Sequence, residues 1–152
     1  MTSTASSGSP PAAPFDALAD RYDAWYDGIE GGALFRDEVE CLRSLCPACR
    51  GRWLEVGVGT GRFAAALGIR TGLDPSAAML AYAARRGVRT VVGTAERLPF
   101  ATARLDGVLL AFALCFVKDA EKALKECARV PRPGGTLMLG IVPADGTWGI
   151  HY

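Results

Sequence analysis

The chain has 152 residues, 50% of them hydrophobic, and its 17 basic and 16 acidic side chains leave a formal charge of +1. That length supports one good core rather than two domains, and the charge balance removes the one-signed field that draws nucleic acid or anionic membrane, leaving a small-molecule partner as the default. No apolar run is long enough to cross a bilayer, and the opening MTSTASSGSPPAAP lacks the basic start and apolar stretch of a secretory signal, so a cytoplasmic setting is expected.

Residues 1–14, all Ser, Thr, Ala, Gly and Pro after Met1, have no periodic apolar pattern to offset the entropy of ordering and are expected to form a disordered tail. From Phe15, the residues Phe15, Leu18, Ala19, Tyr22 and Tyr26 fall at helical spacing beside Trp25, predicting a short aromatic helix. A break is expected at Gly31-Gly32, after which Phe35, Val39, Leu42 and Leu45 predict a second helix that Cys46 closes and Pro47 stops.

Beyond Gly51 short apolar runs alternate with helical patterns, the signature of consecutive βαβ units and a parallel sheet. The predicted strands are Trp53 to Val58, Ile69 to Leu73, Val88 to Val92, Leu105 to Ala111 and Thr136 to Val142. Helices are predicted over Arg62 to Leu67, over Pro75 to Arg86 with Gly87 as its exit, and after Asp119, where Ala120, Ala123, Leu124 and Cys127 share a face and Arg129 lies near the end. Right-handed crossovers would make this an α/β doubly wound sheet that binds its ligand outside the carboxyl ends of the strands.

Five cysteines, Cys41, Cys46, Cys49, Cys115 and Cys127, are an odd number in a chain with an ample core, which argues for a reducing compartment rather than a disulfide framework. Cys46-Pro-Ala-Cys49 has the look of half a zinc site or of a redox pair, but no second pair exists and His151 is the sole histidine, so no metal site is expected. Cys115 reads as a buried structural thiol.

The most informative stretch is Leu54-Glu55-Val56-Gly57-Val58-Gly59-Thr60-Gly61-Arg62-Phe63, which follows a strand and opens a helix. Alternate glycines let the backbone turn tightly and approach a ligand. A nucleotide dehydrogenase would want glycine where Arg62 stands. What remains is an acidic residue inside the strand, Glu55, and a second, Asp74, closing the next strand where a ribose diol would lie.

These residues resemble the class I S-adenosylmethionine-dependent methyltransferases, of the small-molecule type grouped with ubiquinone and menaquinone biosynthesis. The likeness runs from about residue 20 to about residue 142. It is carried by Tyr22-Asp23-Ala24-Trp25-Tyr26-Asp27, Glu55 to Gly61, Gly72-Leu73-Asp74-Pro75-Ser76 with Met79-Leu80, Gly93-Thr94-Ala95-Glu96, Leu98-Pro99-Phe100, Asp106 and Arg132-Pro133-Gly134-Gly135. The resemblance implies a Rossmann-like sheet of strand order 3-2-1-4-5 lacking the usual last two strands, with residues 15–50 as an amino-terminal helical lid and residues 51–152 as the cofactor-binding core.

It further implies that Gly57, Gly59 and Gly61 pass under the methionine part of S-adenosylmethionine, and that Glu55 organises that loop. Asp74 would accept both ribose hydroxyls, Pro75 and Met79 would flank the adenine, and Thr94, Ala95 and Glu96 would meet its edge. Ala111 and Phe112 would close the floor, and Tyr22, Trp25 and Tyr26 would form the lid. Plainer roles stay open: Asp74 as a helix cap, Met79 and Phe112 as core, and the three aromatics as packing for the first helix.

The sulfonium makes its methyl group electrophilic, so the protein would mainly orient an acceptor in line with the S–CH3 bond. No side chain stands out as a general base; His151 is near the end and alone. The family fold usually continues beyond its fifth strand, so that strand is expected to present an open edge that pairs with another chain or self-associates. The alternatives to methyl transfer to a small acceptor are a partner-dependent or non-catalytic cofactor binder and an arsenic methyltransferase using Cys41, Cys46 and Cys49.

Overall fold

The computed structural model of the chain describes residues 15–46 and 49–143. The expected tail and His151 lie outside the described residues. Five strands are described: β1 (Trp53–Val56), β2 (Thr71–Asp74), β3 (Arg89–Val92), β4 (Leu105–Ala111) and β5 (Pro131–Gly140). They form one sheet in the order β3-β2-β1-β4-β5, every pairing parallel. This is the Rossmann-like arrangement the sequence predicts.

The helices are α1 (Ala19–Trp25), α2 (Ile29–Leu45), α3 (Arg62–Leu67), α4 (Ala77–Arg85) and α5 (Ala120–Arg129), with 3-10 turns at Asp16–Leu18 and Leu114–Phe116. One core joins Val39 and Leu42 of α2 to Phe63 and Leu67 of α3 and Leu80 and Ala83 of α4. The other joins Leu54, Val56, Leu73, Val108 and Leu110 to Ala123 and Cys127 of α5. Alternation along β1 thus sends Leu54 and Val56 towards α5 and leaves Trp53 and Glu55 on the face of α2 and α3.

Several local expectations change. Gly31-Gly32 is not a break, because α2 begins at Ile29 and runs straight through it. A Cβ on Gly31 would collide with the Trp25 carbonyl oxygen and ring, so that glycine serves the close approach of α1, and the chain turns earlier, at residues 26–28. The expected apolar face of α1 is also displaced: Ala19 and Asp23 are its buried residues, while Tyr22 and Trp25 are exposed.

Strands β1 and β2 are shorter or shifted relative to the apolar runs because Gly57 and Val58 leave the sheet to donate their N–H groups to the Leu73 carbonyl. β5 begins at Pro131 rather than Thr136, pairing Leu105 with Pro131 before an irregularity at Leu105/Gly107. Pro131 starts a strand that needs no N–H from it there, and α5 keeps its length to Arg129. β5 pairs with β4 alone among the described residues, and Leu139 and Ile141 are exposed along this edge. Cys115 is exposed rather than buried, its thiol donating to the Phe112 carbonyl at 3.8 Å.

Candidate functional site

The turn from β1 into α3 holds Gly57, Gly59 and Gly61 at φ +71°, +52° and +81°. Gly61 also lies against α4, where a Cβ would come 2.8 Å from Ala83 Cα, so an L side chain is excluded by both conformation and space. Above Gly59 the nearest group to such a Cβ is Tyr22 Cε1 at 3.9 Å. The sequence-predicted lid residue therefore stands over the loop.

Gly61 precedes α3 and has no side chain to cap it. The cap comes instead from inside the sheet, where the Glu55 carboxyl accepts the Ala64 N–H. Glu55 is 1% exposed, and its Oε2 has no hydrogen-bond partner among the described residues. Burial foremost, and the charge of Asp74, push this carboxyl well above the usual carboxylate range.

Asp74 ends β2. Its Oδ2 accepts the Gly59 N–H at 2.9 Å and its Oδ1 the Ser76 N–H at 2.9 Å. It does not cap α4: Ser76 does, taking the Met79 N–H at 3.2 Å while donating to Asp16 at 2.6 Å. Burial raises the Asp74 carboxyl, opposed by those two N–H groups and reinforced by Asp16. Each Asp74 oxygen keeps lone pairs beyond the one engaged here.

Pro75 is exposed beside Asp74, and Met79 is buried in α4. Thr94, Ala95 and Glu96 follow β3. Ala95 packs in the core with Leu54 and Leu73, while Glu96 Oε1 accepts the N–H groups of Lys118 at 2.9 Å and Asp119 at 3.4 Å and takes the Thr94 hydroxyl. Glu96 thus spends one oxygen tying the turn after β3 to the start of α5. Ala111 is buried at the end of β4. Phe112 adopts φ +55°, a costly conformation for an aromatic residue, with its N–H given to Gly140 at 2.8 Å and its ring 5.5 Å from that of Phe63. Phe63 meets Phe35 at 5.1 Å and Tyr26 at 6.4 Å, and Tyr26 meets Tyr22 and Trp25 at 5.3 and 4.9 Å.

Sequence reasoning missed the charges beneath this loop. Arg62, read there only as a departure from a dinucleotide pattern, donates to Asp23 at 2.9 Å and to Asp27 at 2.8 Å, and Arg86 donates to Asp23 at 2.9 Å. Nothing in local spacing links residues 39 and 63 positions apart. Cys46 and Cys49 face each other at 3.9 Å in a recess of about 380 Å³ with Arg43, Arg50 and Leu67. Leu67 ends α3, so this recess lies at the opposite end of that helix from the glycine turn. Burial foremost, then Cys46, pushes the Cys49 thiol up from its ordinary value.

A family model described as a methyltransferase domain matches residues 54–139, and the chain belongs to that family. An uncharacterized protein of Mycobacterium tuberculosis is 44% identical over 141 residues, covering 93% of this chain and 49% of that one. A demethylmenaquinone methyltransferase of a Mycobacterium species is 37% identical over 132 residues, covering 84% of this chain and 57% of the relative. Among solved structures, a Thermotoga maritima S-adenosylmethionine-dependent methyltransferase, described as a possible histamine N-methyltransferase, superposes with a TM-score of 0.84 at 38% identity, covering 91% of this chain and 65% of that one. The chain spans about half the length of the first curated relatives it matches.

The site suits the cofactor this family implies. An S-adenosyl group presents a ribose diol and an α-amino group as donors, and here a strand-end carboxylate has lone pairs to spare and a buried carboxyl oxygen is unpartnered. The alternate glycines leave the backbone bare where the ligand would pass.

Proposed function

We propose that this chain binds S-adenosylmethionine across the carboxyl ends of β1 and β2 and directs its methyl group to a small-molecule acceptor. The observation that carries the reading is the joining of Asp74 to the glycine turn through the Gly59 N–H, which makes one unit of the ribose acceptor and the methionine-binding backbone. The bound cofactor supplies an electrophilic methyl group that in-line displacement can transfer.

In this reading Asp74 accepts the ribose hydroxyls, and Glu55 fixes the turn by capping α3 and offers its second oxygen to the amino group. Pro75 and Met79 flank the adenine. The Ala95 backbone with Thr94 and Glu96 meets the adenine edge, and Ala111 and Phe112 form the floor. Tyr22, Trp25 and Tyr26 act as the lid, excluding water and facing the sulfonium with aromatic rings. Titration calorimetry with S-adenosylhomocysteine tests this: saturable binding is expected, weakened ten- to a hundredfold, about 1.5–3 kcal/mol, in Asp74→Ala. A folded chain that binds nothing would refute it.

A second reading, a binder that needs a partner chain for catalysis, is favoured by the β5 edge that no strand covers among the described residues, with Leu139 of that strand exposed. It includes self-association through that edge. Light scattering separates the two: a sharp monomer peak with product formation favours the lone enzyme. No helix among the described residues is long and apolar enough to cross a membrane. We place the chain in the cytoplasm on its odd number of cysteines, with Cys49 and Cys127 packed in the core.

A further inference from the structure

Alternate glycines give the loop from Gly57 to Gly61 its access to a ligand, but they also make its ordered form entropically expensive. Its first half is held by the sheet, through the Gly57 and Val58 N–H groups on the Leu73 carbonyl at 2.8 and 3.0 Å. Gly59 is held by Asp74, and from Thr60 onward the loop converges on a second carboxylate. Asp23 accepts Arg62 Nε at 2.9 Å and Nη2 at 3.2 Å, Arg86 Nη2 at 2.9 Å, and the hydroxyl of Thr60. Arg86 Nη1 simultaneously donates to the Thr60 carbonyl at 3.0 Å, and Arg62 Nη2 to the Asp23 carbonyl at 2.9 Å. Thr60 is thus gripped at its side chain by Asp23 and at its backbone by Arg86.

We infer that Asp23 is a positioning residue for the cofactor loop, fixing the turn from Gly59 to Arg62 by joining α1, Thr60, Arg62 and the end of α4 in one ion-paired cluster. This rests on the cofactor reading above and adds to it a residue that need not touch the ligand. Asp23 is 8% exposed and Thr60 2%, so these are charge-assisted bonds shielded from water rather than surface pairs. Burial alone would raise the Asp23 carboxyl, but the hydrogen bonds from Arg62, Arg86 and Thr60 outweigh it and hold it at about 2. The carboxylate is therefore ionised at neutral pH. The same cluster carries the lid, because Tyr22, beside Asp23 in α1, is the residue standing over Gly59.

The test uses the full chain. Asp23→Asn is expected to weaken S-adenosylhomocysteine binding at least about tenfold in calorimetry, with Asp23→Glu restoring part of the loss. In the ligand-free protein it should speed hydrogen exchange at the amides from Gly59 to Arg62 while leaving β4 unchanged. Since the Asn variant leaves Arg86 without its anion and Arg62 with Asp27 alone, and so risks unfolding, Thr60→Val provides a gentler cut, expected to act in the same direction and non-additively with Asp23→Asn. A folded Asn variant with affinity within twofold of wild type, or with unchanged loop exchange, overturns the inference. Wild-type protein that binds no S-adenosylhomocysteine overturns the cofactor reading instead, and the exchange result alone then decides the role of Asp23.

Discussion

Helices α1 and α2 adjoin in the chain yet are attached by opposite means. α1 is short and docks through carboxylates: Asp20 takes the Tyr82 hydroxyl at 2.5 Å, and Asp23 takes Arg62 and Arg86. α2 is 17 residues long and docks through Val39 and Leu42, with Phe35 packed alongside. The contrast extends to their buried acids. Asp23 is surrounded by donors and held at about 2, whereas Glu38 has a buried Oε2 with no hydrogen-bond partner among the described residues, and burial, then Asp37, raises it to about 7. Apolar packing anchors a helix without fixing its fine position relative to a loop; directional ion pairs fix position, and α1 has them where the candidate cofactor turn lies.

The largest effect that would sharpen this contrast is on α2. Leu42→Ala, at a residue 3% exposed, is expected to lower global stability by about 2–4 kcal/mol in urea unfolding; a loss below about 1 kcal/mol would mean that α2 does not anchor the fold. A smaller effect of opposite sign is expected at Glu38. Because its folded value lies above the ordinary 4.5, protonation stabilises the fold fully below that value, and this contribution is lost as pH rises through about 7. Glu38→Gln should therefore be more stable than wild type by about 1 kcal/mol at about pH 8, allowing for the solvent around this half-buried side chain, and by little at about pH 4.5. Equal urea midpoints at both pH values would show that the acid is solvated or paired. The smallest effect belongs to Tyr82→Phe, which removes the exposed hydroxyl on Asp20. The urea midpoint should not move, while α1 amides exchange a few-fold faster; unchanged exchange would mean that this bond adds nothing to the attachment of α1.

The sequence conveyed these two helices unequally, and the reason is periodicity. Phe35, Val39 and Leu42 repeat at helical spacing, so α2 was legible apart from its start, where Gly31 resembled a breaker but answers to the Trp25 carbonyl. In α1 the same rule pointed the aromatics inward, whereas its buried residues are Ala19 and an acid, Asp23, whose partners come from the start of α3 and the end of α4. The individual strands and the glycine turn were legible because each is written in a contiguous stretch, while the strand order came with the family resemblance. Long-range pairing left no such trace: the Asp23 cluster, the Glu55 cap on α3 and the Glu96 tie to Lys118 and Asp119 all join separated segments. The start of β5 at Pro131 was obscured differently, since Arg132-Pro133-Gly134-Gly135 has turn composition and forms the irregular stretch between the Leu105–Pro131 and Gly107–Thr136 pairings with β4.

The Asp23 cluster also bears on the order of assembly. α1 leaves the ribosome before any group that can neutralise its buried carboxylate, because Arg62 lies 39 residues and Arg86 63 residues further on. Until β1, β2 and the helices after them have come together, that carboxylate gains nothing by leaving water, and the long loop closure is unrewarded. α1, made before its charge partners, is thus expected among the last elements to dock, with its docking completing the glycine turn in the same event.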